Sequence, residues 1–465
     1  MAGHSQQLQA IHGGKLGRWL SFHRLHSYIV RVNPCFMNRS LVTLLLCLNV
    51  LIASAQLSKT ERRIAARVDQ NMNACVKTLE ESVNINSGTL NEAGVKETAM
   101  HMNREFDAIG FSTEWITLPS ELKRAGHLFA RIDGSKGKRI LLIGHLDTVF
   151  EPESPFQKYI NQGDTIARGP GTNDMKGGNV VILYALKALH DLDLLKDRRI
   201  IVALHGDEEE AGRPLTISRA DIINAAKNSD VALAFETGTG FGEATIARRG
   251  TTSWILKITG RQAHSAGIFT SETGAGAIYE ASRILNRFYS ELREENLTFN
   301  PGLILGGTEV ELDSAGKRGT AAGKTNIVAN SARVMGDLRY LSNEQREKAK
   351  AKMKAIVAES LPQTSATITF DDGYPAMPPT SGNMKLLEFY SKVSVDLGLG
   401  PVKPFDPAKR GAGDISFVAA YVDCLDGIGA MGGGAHSQEE YIDLRTLDEQ
   451  IKRAAIMIYR LAYQQ

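Results

Sequence analysis

Beyond residue 56 the chain moves between two hydrophobic rhythms. Arg139–Gly144, Arg199–Leu204 and Val231–Phe235 hold short, nearly continuous apolar runs, the pattern of strands buried on both faces. Gly178–Leu189 and Ser218–Ala226 carry helical spacing, and residues 57–110 read as helices around a loop marked by Gly88 and Gly94. Buried strands alternating with helices predict an α/β fold: a mostly parallel mixed sheet with helices on both faces. After Arg249 the rhythm changes. Thr251–Ile258 alternates polar and apolar residues, as a strand with one wet face does. Helical stretches at Gly274–Leu292 and Ser342–Ser360 accompany alternating strands near 301–311, 324–339 and 365–371, which predicts an antiparallel sheet with helices on one face. From Asn383 the first rhythm returns. The chain reads as an α/β domain in two pieces, 57–247 and 373–465, interrupted by an α+β domain at 248–372. Gly- and Pro-rich stretches at 373–382, 400–413 and 427–434 are expected loops.

Charge changes this picture at one end. The net charge of the 465 residues is only +2, which gives no basis for nucleic-acid binding. Residues 1–55 carry five basic side chains (Lys15, Arg18, Arg24, Arg31, Arg39) and no acidic one, which leaves the remainder at −3. Met37-Asn38-Arg39-Ser40, a mostly apolar run from Leu41 to Ile52, and Ala53-Ser54-Ala55 form a secretory signal peptide. Translation is expected to begin at Met37, with 1–36 an upstream extension, 37–55 removed near Ala55, and the product periplasmic or secreted. The run is too short to span ~30 Å of hydrocarbon, so no stable membrane insertion is expected; the alternative is an uncleaved anchor. After cleavage Cys75 and Cys424 remain, either as one disulfide or as two free buried thiols.

Four clusters carry candidate chemistry, three of them just after expected buried strands, where open α/β sheets place their sites. Gly144-His145-Leu146-Asp147-Thr148 offers an imidazole, with a carboxylate two residues on that points the same way. Gly169–Gly178 is a glycine-rich turn holding Asp174, either a helix cap or a carboxylate shared by two metals. Gly206-Asp207-Glu208-Glu209-Glu210 sets four carboxylates side by side, either a solvated loop or a metal ligand beside a general base. Gly429–Ser437 is a glycine loop holding His436, and Glu236 follows the third strand. Two His with Asp and Glu, and no Cys, suit Zn²⁺. Gly319–Thr325 looks like a phosphate-binding loop but is one residue short between its glycines.

Taken in order, these clusters resemble the co-catalytic dizinc metallopeptidase and amidohydrolase family of glutamate carboxypeptidase, aminoacylase, succinyl-diaminopimelate desuccinylase and the carnosinase-type dipeptidases. The resemblance covers roughly residues 70–465. It implies a zinc exopeptidase-like fold whose inserted domain is a lid and dimerisation unit. It implies that His145 and Glu236 bind one zinc, that Glu209 and His436 bind the other, and that Asp174 bridges them, with Co²⁺ or Mn²⁺ as substitutes. It makes Glu208 the general base that passes a proton from the bridging water to the leaving amine, and Asp147 the support of His145. It also implies a cis Asp174–Met175 bond. Gly260–Gly267 matches the family's motif for an oxyanion-stabilising His supplied by the lid of a second subunit, which points to His264. Asn326 and Arg339 fit positions that grip a substrate carboxylate, and the loop Arg410–Asp414 resembles one near the substrate.

The expected activity is hydrolysis of an amide bond next to a free carboxylate in a small peptide or N-acyl amino acid. Carboxypeptidase action on a residue such as glutamate is the leading reading. N-acyl-amino-acid amidohydrolase or dipeptidase action is the alternative within the same chemistry. A catalytically inactive binding member, or a peptide-binding module with a solvated acidic face, is the rival from another class.

Overall fold

In the computed structural model, which describes residues 57–163, 165–313 and 318–464, neighbouring residues of the central strands enter two different cores. The expected leader, with Met37 and Ala55, lies outside the described residues. Six strands form the central sheet in the order Ser112–Thr117, Gly126–Asp133, Arg198–His205, Lys136–His145, Val231–Ala234 and Asp423–Leu425. The first two pairings are antiparallel and the other three parallel. The antiparallel edge is an addition to the expected strands. Ser112–Thr117 is only half-buried, so it carries no continuous apolar run to announce it.

Side chains alternate across the sheet because strand periodicity is two. Ile140, Leu142, Val202 and Leu233 pack against the helices Lys59–Val83, Lys176–His190 and Leu447–Tyr463. Leu141, Ile143, Ala203 and Ala232 pack against Ala220–Lys227 and Ile415–Val418. Each such Leu or Ile contributes about 1.5–3 kcal/mol by leaving water. Cys75 belongs to the first core and Cys424 to the second, so the sheet separates two free, buried thiols. The helix expected at 218–226 starts later, at Ala220. A separate turn, Leu215–Ser218, precedes it, and Arg219 between them leaves helical geometry with φ −115°.

A second sheet, fully antiparallel, runs in the order Thr298–Gly307, Ser331–Tyr340, Gly250–Gly260 and Thr364–Asp372. The helices Ala277–Glu291 and Asn343–Ala358 cover one face, where Trp254, Leu256 and Val334 meet Ile284, Phe288 and Met353. The strand expected at 301–311 divides at Thr308, and the one expected at 324–339 begins only at Ser331. Gly319–Ala322 is itself a strand paired with Glu309–Leu312, so the phosphate-loop lookalike lacks the helix such a loop must lead into. The chain enters and leaves this sheet through a two-stranded ribbon. Arg248 and Met377 exchange both backbone hydrogen bonds at 2.9 Å, and Thr251 N–H donates to the Tyr374 carbonyl at 2.9 Å. Among the described residues no helix is long and apolar enough to cross a membrane.

Candidate active site

Three adjacent parallel strands end at one edge and deliver the expected clusters together. Lys136–His145 ends on His145, Arg198–His205 leads into Glu208 and Glu209, and Val231–Ala234 leads into Glu236. Asp174 arrives from the turn before Lys176–His190. That helix lies close to the third strand because Gly178 has no side chain: a Cβ there would meet the Phe235 carbonyl at 2.0 Å. The Asp174–Met175 bond is cis, as the resemblance implied. His436 follows Gly434 and itself has φ +63°, a costly conformation for a non-glycine residue and one that clusters at functional sites.

Asp174 divides its carboxylate between two groups. Oδ1 lies 3.3 Å from His145 Nε2, which is 3.6 Å from Glu236 Oε1. Oδ2 lies 3.2 Å from His436 Nε2, which is 3.1 Å from Glu209 Oε2. Ligand atoms of His145, Asp174 and Glu209 come within 4.8 Å of one another, as do those of His145, Glu208 and Glu236. Burial and the nearby Glu236 push Glu208 well above the usual carboxylate range. Burial and Asp174 push Glu236 up to about 7. Burial raises Glu209 as well. Burial opposes charge at Asp174 too, but its two imidazole partners outweigh this and hold it low. His436 is pushed up to about 11 by its hydrogen bonds to Asp174 and Glu209. Four carboxylates, Asp174, Glu208, Glu209 and Glu236, thus crowd around two imidazoles. A nitrogen-and-oxygen donor set with excess negative charge fits a pair of divalent metal ions.

The supports of this cluster differ in part from expectation. His145 Nδ1 lies 3.0 Å from the backbone carbonyl of Asp147 and 3.4 Å from its carboxylate, so the nearer partner is the main chain. The Asp147 carboxylate instead accepts the N–H groups of Glu208 and Glu209, at 3.0 Å each, and the Thr89 hydroxyl at 2.7 Å. Asn179 fixes the His145 carbonyl at 2.7 Å, and Glu440 Oε1 accepts the N–H groups of Asn173 and Asp174 at 2.9 Å. Thr89, Asn179 and Glu440 escaped sequence reasoning. The Glu439-Glu440 pair just beyond His436 was the one available signal.

Asp174, Glu208, Glu209, Glu236 and His436 line a cleft of about 280 Å³ with Arg248 and Arg410. Arg410, expected near the substrate, donates to the Thr237 carbonyl at 2.8 Å. Arg248, missed in the sequence, ion-pairs with Asp426 and brings Nη2 to 3.9 Å from Glu236. His264, Asn326 and Arg339 are not among the residues lining this cleft. His264 and Asn326 are exposed neighbours just past Gly260, where Ser265 N–H donates to the Asn326 carbonyl at 2.9 Å. Arg339 stands opposite Thr251, at the ribbon end of the same sheet, with its Nε 2.7 Å from Asp337. Nine residue steps of strand, about 30 Å, separate Thr251 from Gly260.

An α/β sheet that gathers imidazoles and carboxylates at its carboxyl edge, with a second sheet inserted, defines a metal-dependent hydrolase. The chain belongs to peptidase family M20/M25/M40, whose profile it matches over residues 141–464, and it is a metallopeptidase/amidohydrolase of that family. It is 27% identical to Carboxypeptidase G2 of Pseudomonas sp. (strain RS-16), over 91% of this chain and 98% of the relative. An acetylornithine deacetylase of Pasteurella multocida is 29% identical over 44% of this chain and 54% of its own. Among solved structures, a Staphylococcus aureus tripeptidase superposes with TM-score 0.64 at 19% identity, covering 85% of this chain and 99% of its own. Human carnosine dipeptidase 1 gives 0.59 at 13% identity, covering 88% of this chain and 100% of its own.

Proposed function

We propose that the protein is a dizinc carboxypeptidase that removes a C-terminal residue carrying a free carboxylate, glutamate first among candidates. The observation that carries this reading is the Asp174 carboxylate, one oxygen facing His145 and Glu236 and the other facing His436 and Glu209. In this reading those five residues hold two zinc ions per subunit, which Co²⁺ or Mn²⁺ can replace. When bound, such a pair lowers the pKa of a water molecule and polarises the scissile carbonyl. Glu208, whose carboxylate lies within 4.8 Å of the ligand atoms of His145 and Glu236, takes the proton of the attacking water and delivers it to the departing nitrogen. Similarity to Carboxypeptidase G2 along nearly all of that enzyme supports carboxypeptidase action. The deacetylase and dipeptidase likenesses favour N-acyl-amino-acid or dipeptide hydrolysis as the second reading.

In the same reading, residues 57–247 and 373–465 form the catalytic domain and 248–372 a lid that pairs two subunits. Arg339 sits at one end of the strand Gly250–Gly260 and His264 and Asn326 lie beyond the other end, and those ends are about 30 Å apart, a long reach for one dipeptide-sized substrate. In the proposed homodimer, Arg339 comes from the subunit's own lid, and His264 of the partner subunit steadies the oxyanion. The basic, apolar leader supports export to the periplasm or medium.

The test is amine release from peptides and N-acyl amino acids, each with a free or an amidated terminal carboxylate, alongside metal analysis of gently purified protein. About two divalent ions per chain and cleavage confined to free carboxylates are expected. Metal-free protein, or equal cleavage of amidated substrates, contradicts the proposal.

A further inference from the structure

Glu208 is held by its backbone on every side. Its own N–H and that of Glu209 donate to Asp147 at 3.0 Å. Its carbonyl accepts the Tyr374 hydroxyl at 2.6 Å. The preceding carbonyl, of Asp207, accepts Arg219 Nη2 at 2.9 Å, and the same nitrogen lies 3.0 Å from the Tyr374 hydroxyl oxygen. Arg219 is fully buried. It also meets the Asp207 carboxylate at 2.6 Å and the Asp414 carboxylate at 2.8 Å. His127 and His205 stack nearby at 4.2 Å and, with Asp207, have the composition of a metal site. The Arg219 guanidinium already supplies a cation there, set between the Asp207 and Asp414 carboxylates, so this cluster reads as a structural support. Tyr374 lies in the ribbon to the second sheet, where its N–H and carbonyl bond to Thr251, and its ring stands edge-on to Phe417 at 4.9 Å.

We infer that Arg219 and Tyr374 are positioning residues for Glu208, and that the Tyr374 hydroxyl ties the setting of this base to the ribbon carrying the inserted sheet. A shift of the ribbon moves Tyr374, and the first group it meets in the cleft wall is the peptide of Glu208. The inference rests on Glu208 being the proton-transfer group of the proposed function.

Tyr374→Phe removes one hydroxyl and keeps the ring against Phe417. It is compared with wild type on two substrates that share one acyl group and bear a free carboxylate: an alkyl amide, whose nitrogen must be protonated to leave, and an aryl ester, whose phenolate departs without a proton. We expect kcat for the amide to fall roughly five- to tenfold, with KM within about twofold, and kcat for the ester to fall less. The ratio of the two losses does not depend on how much of a preparation is folded. Arg219→Lys is expected to move that ratio in the same direction. Equal losses on both substrates, or an unchanged amide kcat, overturn the inference. Wild-type protein inactive on both substrates removes the proposed function and this inference with it. An active wild type with an unchanged ratio removes the inference alone.

Discussion

The Asp147 carboxylate accepts the backbone N–H of Glu208 at 3.0 Å, while His145 Nδ1 lies nearer to the Asp147 main-chain carbonyl. One residue therefore serves two partners with two different groups. Asp147→Asn keeps the carbonyl that orients His145 but turns an NH₂ toward one of the two N–H donors of the Glu208–Glu209 loop. We expect kcat to fall about 100-fold and metal affinity by a smaller factor, near the low end of the 10–100-fold range for outer partners of metal ligands. Steady-state kinetics and competitive metal titration on one preparation measure both. A larger loss of affinity than of kcat would place the main effect on His145.

Removing the metals leaves Glu208, Glu209 and Glu236 crowded with raised affinities for protons. Ions that bind the folded chain alone stabilise it by about 4 kcal/mol at a thousandfold excess over Kd. Chelated protein should be inactive and melt several degrees lower, and Zn²⁺, Co²⁺ or Mn²⁺ should restore both properties. Glu208→Gln should separate the two, keeping the metal-dependent melting shift while kcat falls about 1,000-fold.

Arg339 spends its Nε on Asp337, two residues away on the same face of the strand. Both side chains are more than a third exposed, so the pair is weak and its guanidinium is available to a better carboxylate. Arg339→Ala should raise KM for free-carboxylate substrates about tenfold or more and so narrow the preference for them over amidated ones. Asp337→Asn should lower KM for the same free-carboxylate substrates. An unchanged KM in Arg339→Ala would remove Arg339 from substrate recognition.

If His264 acts on the neighbouring subunit, two inactive variants should complement each other. In a mixed dimer of Glu208→Ala and His264→Ala chains, one site has both defects and the other has none. Equal mixing and subunit exchange should recover about one quarter of wild-type activity. Zero recovery in mixtures shown to hold mixed dimers would place His264 at its own subunit's cleft.

His145, Asp174, Glu208, Glu209, Glu236 and His436 were legible because local pattern and chemistry coincide: each follows a buried run or sits in a glycine turn. Arg219, Tyr374 and Glu440 were not. Tyr374 meets Glu208 across 166 residues of chain, and Glu440 meets Asp174 across 266, with no local periodicity to mark either. The placement of Cys75 and Cys424 on opposite sides of the sheet likewise depends on strand order, which hydrophobic rhythm does not encode. The break at Thr308 was hidden because an alternating pattern continues through it, while pairing passes from Ser331–Tyr340 to Gly319–Ala322.

The ribbon joining Arg248 to Met377 places the two ends of a long insertion within one strand spacing of each other. A segment with adjoining ends can be shortened, exchanged or lost without pulling apart the strands that flank it. Descendants of such a chain are free to trade the inserted sheet while inheriting the carboxylate cluster intact.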